Sequence, residues 1–259
     1  MEAHFFECVD EYGYNVVGRI AEGPNKGQLV FALHPHQSCF RSSESALVPL
    51  PQNVPPDRAV LGANMETALN LLWDSGAAAG DRIAVIGAGV VGALVAYLAS
   101  QLPGAEVTLV DLNPERSSLA EGLGCQFSLP EHAPKDCDVV FHLSASPAGL
   151  ATAIDCAGME ATVVEGSWYG DTKTSVPLGG AFHSRRLRIC SSQVGHIPPK
   201  RAPRWSYGRR MAKALELLAD PVLDTLISGE TSLNELPDHY GGILSDPATL
   251  CHRIRYDLP

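Results

Sequence analysis

The chain has 259 residues, of which 45% are hydrophobic and 19% are charged, and its formal net charge at pH 7 is −10. This length allows one large domain or two modest ones, and the composition is that of a globular protein rather than a disordered one. The negative charge argues against binding to nucleic acid or to an anionic membrane surface.

The cysteines are scattered along the chain, and no two of them form a Cys-x-x-Cys pair. Neither a disulfide framework nor a zinc knuckle is therefore expected. Residues 1–7 are acidic overall and contain no apolar signal segment. We therefore expect a protein of the reducing cytoplasm, with no membrane and no nucleic-acid partner.

The first 50 residues are predicted to be rich in β-strand. Strand-like runs at 14–23, 28–33 and 45–51 are separated by glycine and proline. A helix is predicted over 57–75, because Asp57 can cap its first turn and apolar residues recur at helical spacing.

From residue 82 onward, strands and helices are predicted to alternate. The expected strands are 83–86, 106–110, 138–142, 161–165 and 186–190, and the expected helices are 90–101, 114–122 and 147–156. Such alternation is typical of an α/β protein with a doubly wound parallel sheet and right-handed crossovers. A helix at 205–219, a second helix at 246–251 and a strand at 253–256 are predicted to complete the chain.

The most specific pattern in the chain begins with the apolar strand at 83–86. This strand runs into Gly87-x-Gly89-x-x-Gly92, a helix follows, and a second strand ends at Asp111. The glycines permit a tight turn, close approach of a pyrophosphate and close packing of the helix, whose amino terminus favours phosphate. The pattern predicts a dinucleotide-binding Rossmann sheet. Asp111 would bind the adenosine ribose and repel a 2′-phosphate, which favours NAD over NADP.

An uncharged run at 83–102 is also long enough to span a bilayer. The glycine spacing, the strand before it and the stop at Pro103 and Gly104 favour the phosphate loop instead.

Short motifs, taken in order, resemble those of the medium-chain dehydrogenase/reductase superfamily, which includes alcohol-dehydrogenase-like proteins. They lie at 14–20, 64–69, 80–92, 163–170, 191–195 and 251–256. The resemblance implies a shortened, partial GroES-like catalytic domain at 1–62 and a Rossmann domain at 63–195. A C-terminal helix and strand at 196–259 would return towards the catalytic domain. It also implies a homodimer, paired through an edge strand near 186–194.

The resemblance further implies which residues hold NAD. The phosphate loop would cradle the pyrophosphate with Gly87, Gly89, Val90, Val91 and Gly92. The adenosine side would be bound by Asp111, with Asn113, Arg116 and Ser144 nearby. The nicotinamide side would be contacted by Thr67, Gly166 and Ser167, and Arg255 would reach the pyrophosphate.

At the metal-ligand positions, the chain departs from the zinc-dependent members of the superfamily. Residues 12–14 stand where those members carry Gly-His-Glu, and Ala63 stands at the third ligand position. The chain begins after the position of the first ligand, and the four-cysteine zinc lobe is absent. Because catalytic zinc needs three protein ligands, we expect no metal and no zinc-assisted hydride transfer.

Without zinc, the proton must move through a side chain or a water. His34 and His36 are candidates for acid–base or substrate contacts, and with Cys39 they form a rival metal site; ordinary surface histidines are the alternative. Glu66, beside Thr67, is a candidate base if its carboxylate reaches the cleft, and otherwise a charge on a helix surface.

These features predict an NAD(H)-dependent oxidoreductase that moves a hydride to or from a small alcohol or carbonyl substrate without zinc. Two alternatives stay open. A quinone or enone reductase is disfavoured, because such relatives prefer NADPH and Asp111 argues against it. A catalytically degenerate protein that binds NAD(H) as a sensor or scaffold is favoured by the missing ligands and the short amino-terminal domain.

Overall fold

A three-stranded antiparallel sheet begins the computed structural model, which describes residues 13–256. Its strands are β1 (Val16–Arg19), β2 (Leu29–Ala32) and β3 (Val48–Pro49), with β2 in the middle. Phe31 of β2 is fully buried against the rest of the protein. Tyr12, one of the residues at the zinc-ligand positions, and the chain ends at 1–12 and 257–259 lie outside the described residues.

Two helices occupy the region predicted as a single helix over 57–75. α1 (Pro56–Ala59) is one turn, and α2 (Gly62–Ser75) follows after a turn at residues 60 and 61. The prediction is wrong at this turn, which brings the start of α2 directly onto β2. A β-carbon on Gly62 would lie 2.8 Å from the Phe31 ring, so the close packing requires glycine there.

A six-stranded parallel sheet forms the centre of the protein. Its strands are β4 (Arg82–Ile86), β5 (Glu106–Val110), β6 (Gln126–Ser128), β7 (Cys137–His142), β8 (Ala157–Glu165) and β9 (Arg188–Ser191). Their order is β6-β5-β4-β7-β8-β9, and every neighbouring pair is parallel. The chain changes direction across the sheet between β4 and β7, and a crevice for ligands forms at such a point outside the carboxyl ends of the strands.

Helices cover both faces of this sheet, which confirms the predicted doubly wound α/β fold. They are α3 (Val90–Ser100), α4 (Arg116–Gly122), α5 (Pro147–Cys156) and the short α6 (Ala181–Ser184). Alternate residues of β4 enter the two cores: Ile83 and Val85 pack with α2 and α3, and Ala84 and Ile86 pack with α5. Burial on both faces explains why this strand is a continuous apolar run.

The last part of the chain forms α7 (Tyr207–Leu217), β10 (Ile227–Ser232), α8 (Leu236–Ser245) and β11 (Cys251–Arg255). β10 and β11 pair in parallel. The helix predicted at 246–251 is wrong, because the helix ends at Ser245 and Asp246 adopts an extended conformation before Pro247. A residue that precedes proline disfavours the helical conformation.

No helix within residues 13–256 combines the length and the apolarity needed to cross a membrane. The uncharged run at 83–102 is instead divided among β4, the glycine loop and α3.

The Gly92→Ala variant tests the packing of α3 on the sheet. A β-carbon on Gly92 would overlap the carbonyl oxygen of Gly87. We expect the variant to lose about 1–3 kcal/mol of unfolding free energy, as overpacked sites do, when it is measured by urea denaturation. The matched control is Gly122→Ala in α4, where a β-carbon meets nothing within 4 Å. The control should gain about 0.5–1 kcal/mol, and an equal gain in Gly92→Ala would contradict the close packing.

Candidate functional site

The glycine loop joins β4 to α3 at the carboxyl edge of the sheet. Gly87 has a φ of +108°, and its amide donates to the Val110 carbonyl at 2.8 Å. Gly89 is exposed, and the position that a β-carbon would occupy has no atom within 4 Å. The loop therefore has the backbone shape and the free space that a pyrophosphate requires.

No side chain caps the amino terminus of α3. Gly89 is its N-cap, and its first turn holds Val90, Val91 and Gly92 without an acidic residue. The free N–H groups and partial positive charge of a helix start attract an anion. The residues predicted to cradle the pyrophosphate thus lie together at one helix end.

Asp111 follows β5 and is bonded to the glycine loop. One carboxylate oxygen accepts from the Ala88 amide at 2.7 Å, and the other accepts from the Asn113 amide at 2.9 Å. A negative charge is therefore held beside the loop, at the position where a ribose would be bound. Arg116 donates to the carbonyls of Pro247 and Ala248 at 2.8 and 3.3 Å, so it ties α4 to the segment between α8 and β11.

A cleft of about 300 Å³ opens between the amino-terminal sheet, α2 and β11. It is lined by residues 13–17, His36, Val60, Asn64, Val90, 250–254 and Tyr256. The Asn64 amide donates to the Tyr14 hydroxyl at 3.2 Å across it. Because Val90 belongs to the first turn of α3, the cleft reaches the helix end that follows the phosphate loop.

Glu66 is part of a buried network and does not line the cleft. Its carboxylate accepts from Arg210 of α7 at 3.0 Å, and Arg210 also donates to the Asn70 side chain and the Val194 carbonyl. Burial raises the pKa of Glu66, against the influence of Arg210, which would suit a base. Its position does not suit one, so Glu66 serves to anchor α2 to α7.

Thr67 lies three residues after Asn64 on α2, so the two residues share a face of the helix, and Asn64 lines the cleft. Its hydroxyl donates to the Ala63 carbonyl at 3.0 Å. The predicted nicotinamide contact of Thr67 is therefore compatible with its place on the helix.

Gly166 and Arg255 occupy different parts of the structure. A β-carbon on Gly166 would lie 2.6 Å from Leu71 and 2.8 Å from Leu143, so this glycine lets the end of β8 pack beneath α2. Arg255 of β11 pairs with Glu230 at 3.2 Å and does not line the cleft. Its predicted contact with a pyrophosphate stays a prediction.

A polar cluster at the carboxyl ends of β7 and β8 contains two residues that sequence reasoning missed, His142 and Glu165. The imidazole of His142 is completely buried; its Nδ1 lies 2.7 Å from Glu165 Oε2, and its Nε2 lies 2.8 Å from Ser144 Oγ. The Ser167 amide donates to the other Glu165 oxygen at 2.8 Å. The available signal was a polar residue ending each of two apolar strands, since the carboxyl ends of parallel strands meet at one edge.

Ser144 borders the glycine loop on the side away from Asp111. β4 lies between β5 and β7, and a β-carbon on Gly87 would lie 3.0 Å from the Ser144 amide nitrogen. Asp111 and Ser144 therefore lie on opposite sides of the loop. The predicted place of Ser144 near the adenosine half stays a prediction.

No protein-family model matches the chain. The chain is 26% identical over 174 residues to sorbitol dehydrogenase from Ovis aries and 24% identical over 121 residues to (R,R)-butanediol dehydrogenase from Saccharomyces cerevisiae. These matches cover 63% and 46% of this chain, and 46% and 32% of those proteins. The chain thus spans less than half the length of the curated relatives it matches.

The structure is similar to that of L-idonate 5-dehydrogenase from Escherichia coli, with a TM-score of 0.76 and 17% identity, over 94% of this chain and 81% of that one. The chain therefore shares the fold of these dehydrogenases. The resemblance seen in the sequence motifs is therefore confirmed, together with the pairing of a Rossmann sheet with a small β-rich part.

The imidazole of His36 packs directly against Gly13. A β-carbon on Gly13 would overlap this ring, so the contact requires glycine there. Burial lowers the pKa of His36 below its ordinary value of 6.5. The ring is therefore mainly neutral at pH 7.

The described residues do not fit a catalytic zinc ion. Gly13 and Ala63 offer no ligand atoms, and within residues 13–256 no group of three or more His, Cys, Asp or Glu side chains is placed to hold a metal. His34 stacks on Phe40, with ring centroids 3.7 Å apart, and its Nδ1 lies 2.9 Å from the Pro35 carbonyl oxygen. No chemical step is therefore assigned to zinc.

The Arg210→Met variant tests the anchoring role of Glu66. Removal of the guanidinium leaves the Glu66 carboxylate buried without its partner, which typically costs about 3–5 kcal/mol. We expect a loss of this size in the unfolding free energy measured by denaturant titration. Lys213→Met on the same helix is the matched control, because Lys213 and Glu216 form an exposed pair, and such pairs contribute about 0–1 kcal/mol. Equal losses in the two variants would contradict the anchoring role.

Proposed function

We propose that this chain is an NAD(H)-dependent oxidoreductase that moves a hydride between the nicotinamide and a small alcohol or carbonyl compound without a metal ion. The observation that carries the proposal is the shared lining of the cleft: His36 and Val90 of the phosphate loop border the same space of about 300 Å³. A side chain able to move a proton and a loop suited to a dinucleotide therefore meet in one crevice.

The chain's own residues have distinct parts in holding the cofactor. Gly87, Gly89 and the start of α3 would bind the pyrophosphate through backbone N–H groups. Asp111 would accept hydrogen bonds from the adenosine ribose, with its charge favouring NAD over NADP. When bound, the nicotinamide supplies the hydride acceptor or donor, and Thr67 on α2 would lie against it.

His36 is the proposed proton acceptor and donor. During alcohol oxidation, its neutral ring accepts the hydroxyl proton as the hydride leaves the carbon; during carbonyl reduction, the imidazolium returns that proton. A side chain in this role normally contributes a factor of about 10²–10⁴ to the rate. Tyr14 and Asn64, which line the same cleft, offer hydrogen bonds to the substrate oxygen.

Small polyols are the first substrates to test, because sorbitol and butanediol dehydrogenases are among the relatives. The protein is further proposed to be a cytoplasmic homodimer that pairs through β9. This strand ends the order of the six-stranded sheet, and an edge strand offers backbone groups for pairing with a second copy.

The Asp111→Asn variant tests the cofactor assignment. We expect calorimetry to show that the wild-type protein binds NADH more tightly than NADPH, because the carboxylate repels the 2′-phosphate. The variant should reduce this preference by roughly 10-fold, since about 1.4 kcal/mol of charge repulsion is removed. Equal wild-type affinities would contradict the NAD assignment, and binding of neither nucleotide would remove the oxidoreductase proposal. Tight NADH binding without turnover of any alcohol would support the degenerate alternative.

The His36→Asn variant tests the proton-transfer role. The base must be unprotonated for alcohol oxidation, and burial lowers the pKa of His36 below 6.5. The wild-type kcat/KM for oxidation should therefore be full at pH 7 and fall as the pH drops through that lowered pKa. The His36→Asn variant should oxidise the alcohol about 10²–10⁴-fold more slowly, and its kcat/KM should no longer fall at low pH. The control variant His34→Asn should keep the wild-type rate and the wild-type pH dependence. An unchanged pH profile in His36→Asn would assign the proton transfer to another group.

A further inference from the structure

Ser144 is an exposed hydroxyl at the end of a buried hydrogen-bonded chain. Glu165 and Ser144 contact opposite nitrogens of His142, at 2.7 and 2.8 Å, and His142 is fully buried. Burial alone would raise the pKa of Glu165, but hydrogen bonds from His142 and Ser167 bring it below the ordinary value. The carboxylate is therefore ionised at neutral pH and accepts hydrogen bonds only.

This arrangement dictates the direction of the Ser144 hydroxyl. Because the Glu165 carboxylate can only accept, Nδ1 of a neutral His142 carries the ring proton and Nε2 presents a lone pair. Ser144 then donates its own proton to Nε2. The Ser144 oxygen lies 3.3 Å from the Ser146 hydroxyl, which can donate to one of its lone pairs, and the other lone pair suits a ligand group that donates a hydrogen bond.

The position of Ser144 identifies the ligand group. The glycine loop binds the pyrophosphate in the proposed function, and Asp111 lies on its β5 side, where the adenosine ribose belongs. Ser144 borders the same loop on its β7 side. The part of the dinucleotide that leaves the pyrophosphate in this direction is the second ribose, whose hydroxyls are hydrogen-bond donors.

We infer that Ser144 is the hydrogen-bond acceptor for a hydroxyl of the nicotinamide-side ribose, and that His142 and Glu165 are positioning residues that fix its direction. This inference rests on the proposed binding of NAD(H). It adds a second ribose contact to the one at Asp111 and uses a histidine–glutamate pair that the proposed hydride transfer does not otherwise need.

A serine–histidine–glutamate chain also resembles a nucleophilic triad. In such a triad the histidine must hand its proton to the leaving group. His142 is completely buried beneath Ser144 and cannot reach a leaving group in the crevice. Hydroxyl recognition is therefore favoured over acyl transfer.

Calorimetry with NADH, ADP-ribose and ADP tests the inference, because ADP lacks the second ribose. Ser144→Ala should weaken NADH and ADP-ribose binding by about 3- to 10-fold, the size of one hydrogen bond, and leave ADP binding unchanged. Glu165→Gln should also weaken NADH and ADP-ribose binding. Its amide can donate to Nδ1 of His142, so Nε2 would carry the ring proton and donate to Ser144 instead of accepting from it. A purely structural role would weaken all three ligands alike.

Gly149→Ala provides a second variant that removes no polar group. A β-carbon on Gly149 would overlap the Ser144 hydroxyl oxygen and displace it from His142. It should show the same loss for NADH and ADP-ribose. Ser184→Ala, an exposed serine on α6 whose hydroxyl bonds only the Gly180 carbonyl, is the control and should bind all three ligands normally.

The outcomes separate this inference from the proposed function. If Ser144→Ala binds NADH as tightly as the wild-type protein does, the inference is wrong while the cofactor proposal stands. The same holds if Gly149→Ala keeps full NADH affinity. If the wild-type protein binds neither NADH nor ADP, both fail. Covalent labelling of Ser144 by a fluorophosphonate probe would show a nucleophile and overturn the inference.

Discussion

The contact between the backbones of Gly87 and Gly92 is the constraint on which the rest of the crevice depends. It lets α3 begin directly above the end of β4, so the free N–H groups of its first turn face the crevice. The end of β7 packs on Gly87 from one side, and Asp111 bonds to the loop amide of Ala88 from the other. The ends of β4, β5 and β7 therefore meet at one loop. A side chain at Gly92 would displace all of these groups together.

α2 also positions the site, because one side of this helix is anchored to α7 and the other side lines the cleft. One side holds Glu66 and Asn70, which Arg210 joins to α7 and to the segment after β9. The other side presents Asn64 to the cleft. A buried ion pair contributes little net stability compared with apolar packing, but removal of one partner is costly. The pair thus resists rotation of α2, and the cleft-lining side keeps its orientation relative to the glycine loop.

Features encoded within a few residues could be predicted from the sequence, and features that need a distant partner could not. The glycine loop and Asp111 were predictable because each glycine has a local backbone reason. Glu66 looked like a candidate base because its partner Arg210 lies 144 residues away in the chain. The role of His142 could not be predicted, because its partner Glu165 lies at the end of a different strand, β8. The last helix was misplaced because α8 buries no residue and contains Gly241 and Gly242, which disfavour a helix.

In the proposed function, acid–base chemistry at His36 is separated from hydroxyl recognition at Ser144. A metal ion would lower the pKa of a bound alcohol directly. A neutral imidazole can only accept the proton as the hydride leaves. The imidazole must therefore be held in a fixed position relative to the substrate. Hydrogen bonds position groups well only where water is excluded, because the local dielectric then stays low. Residues 13–17 and 250–254 form the wall around His36. In the proposed mechanism, this wall must exclude enough water for the imidazole to move the proton without a metal ion.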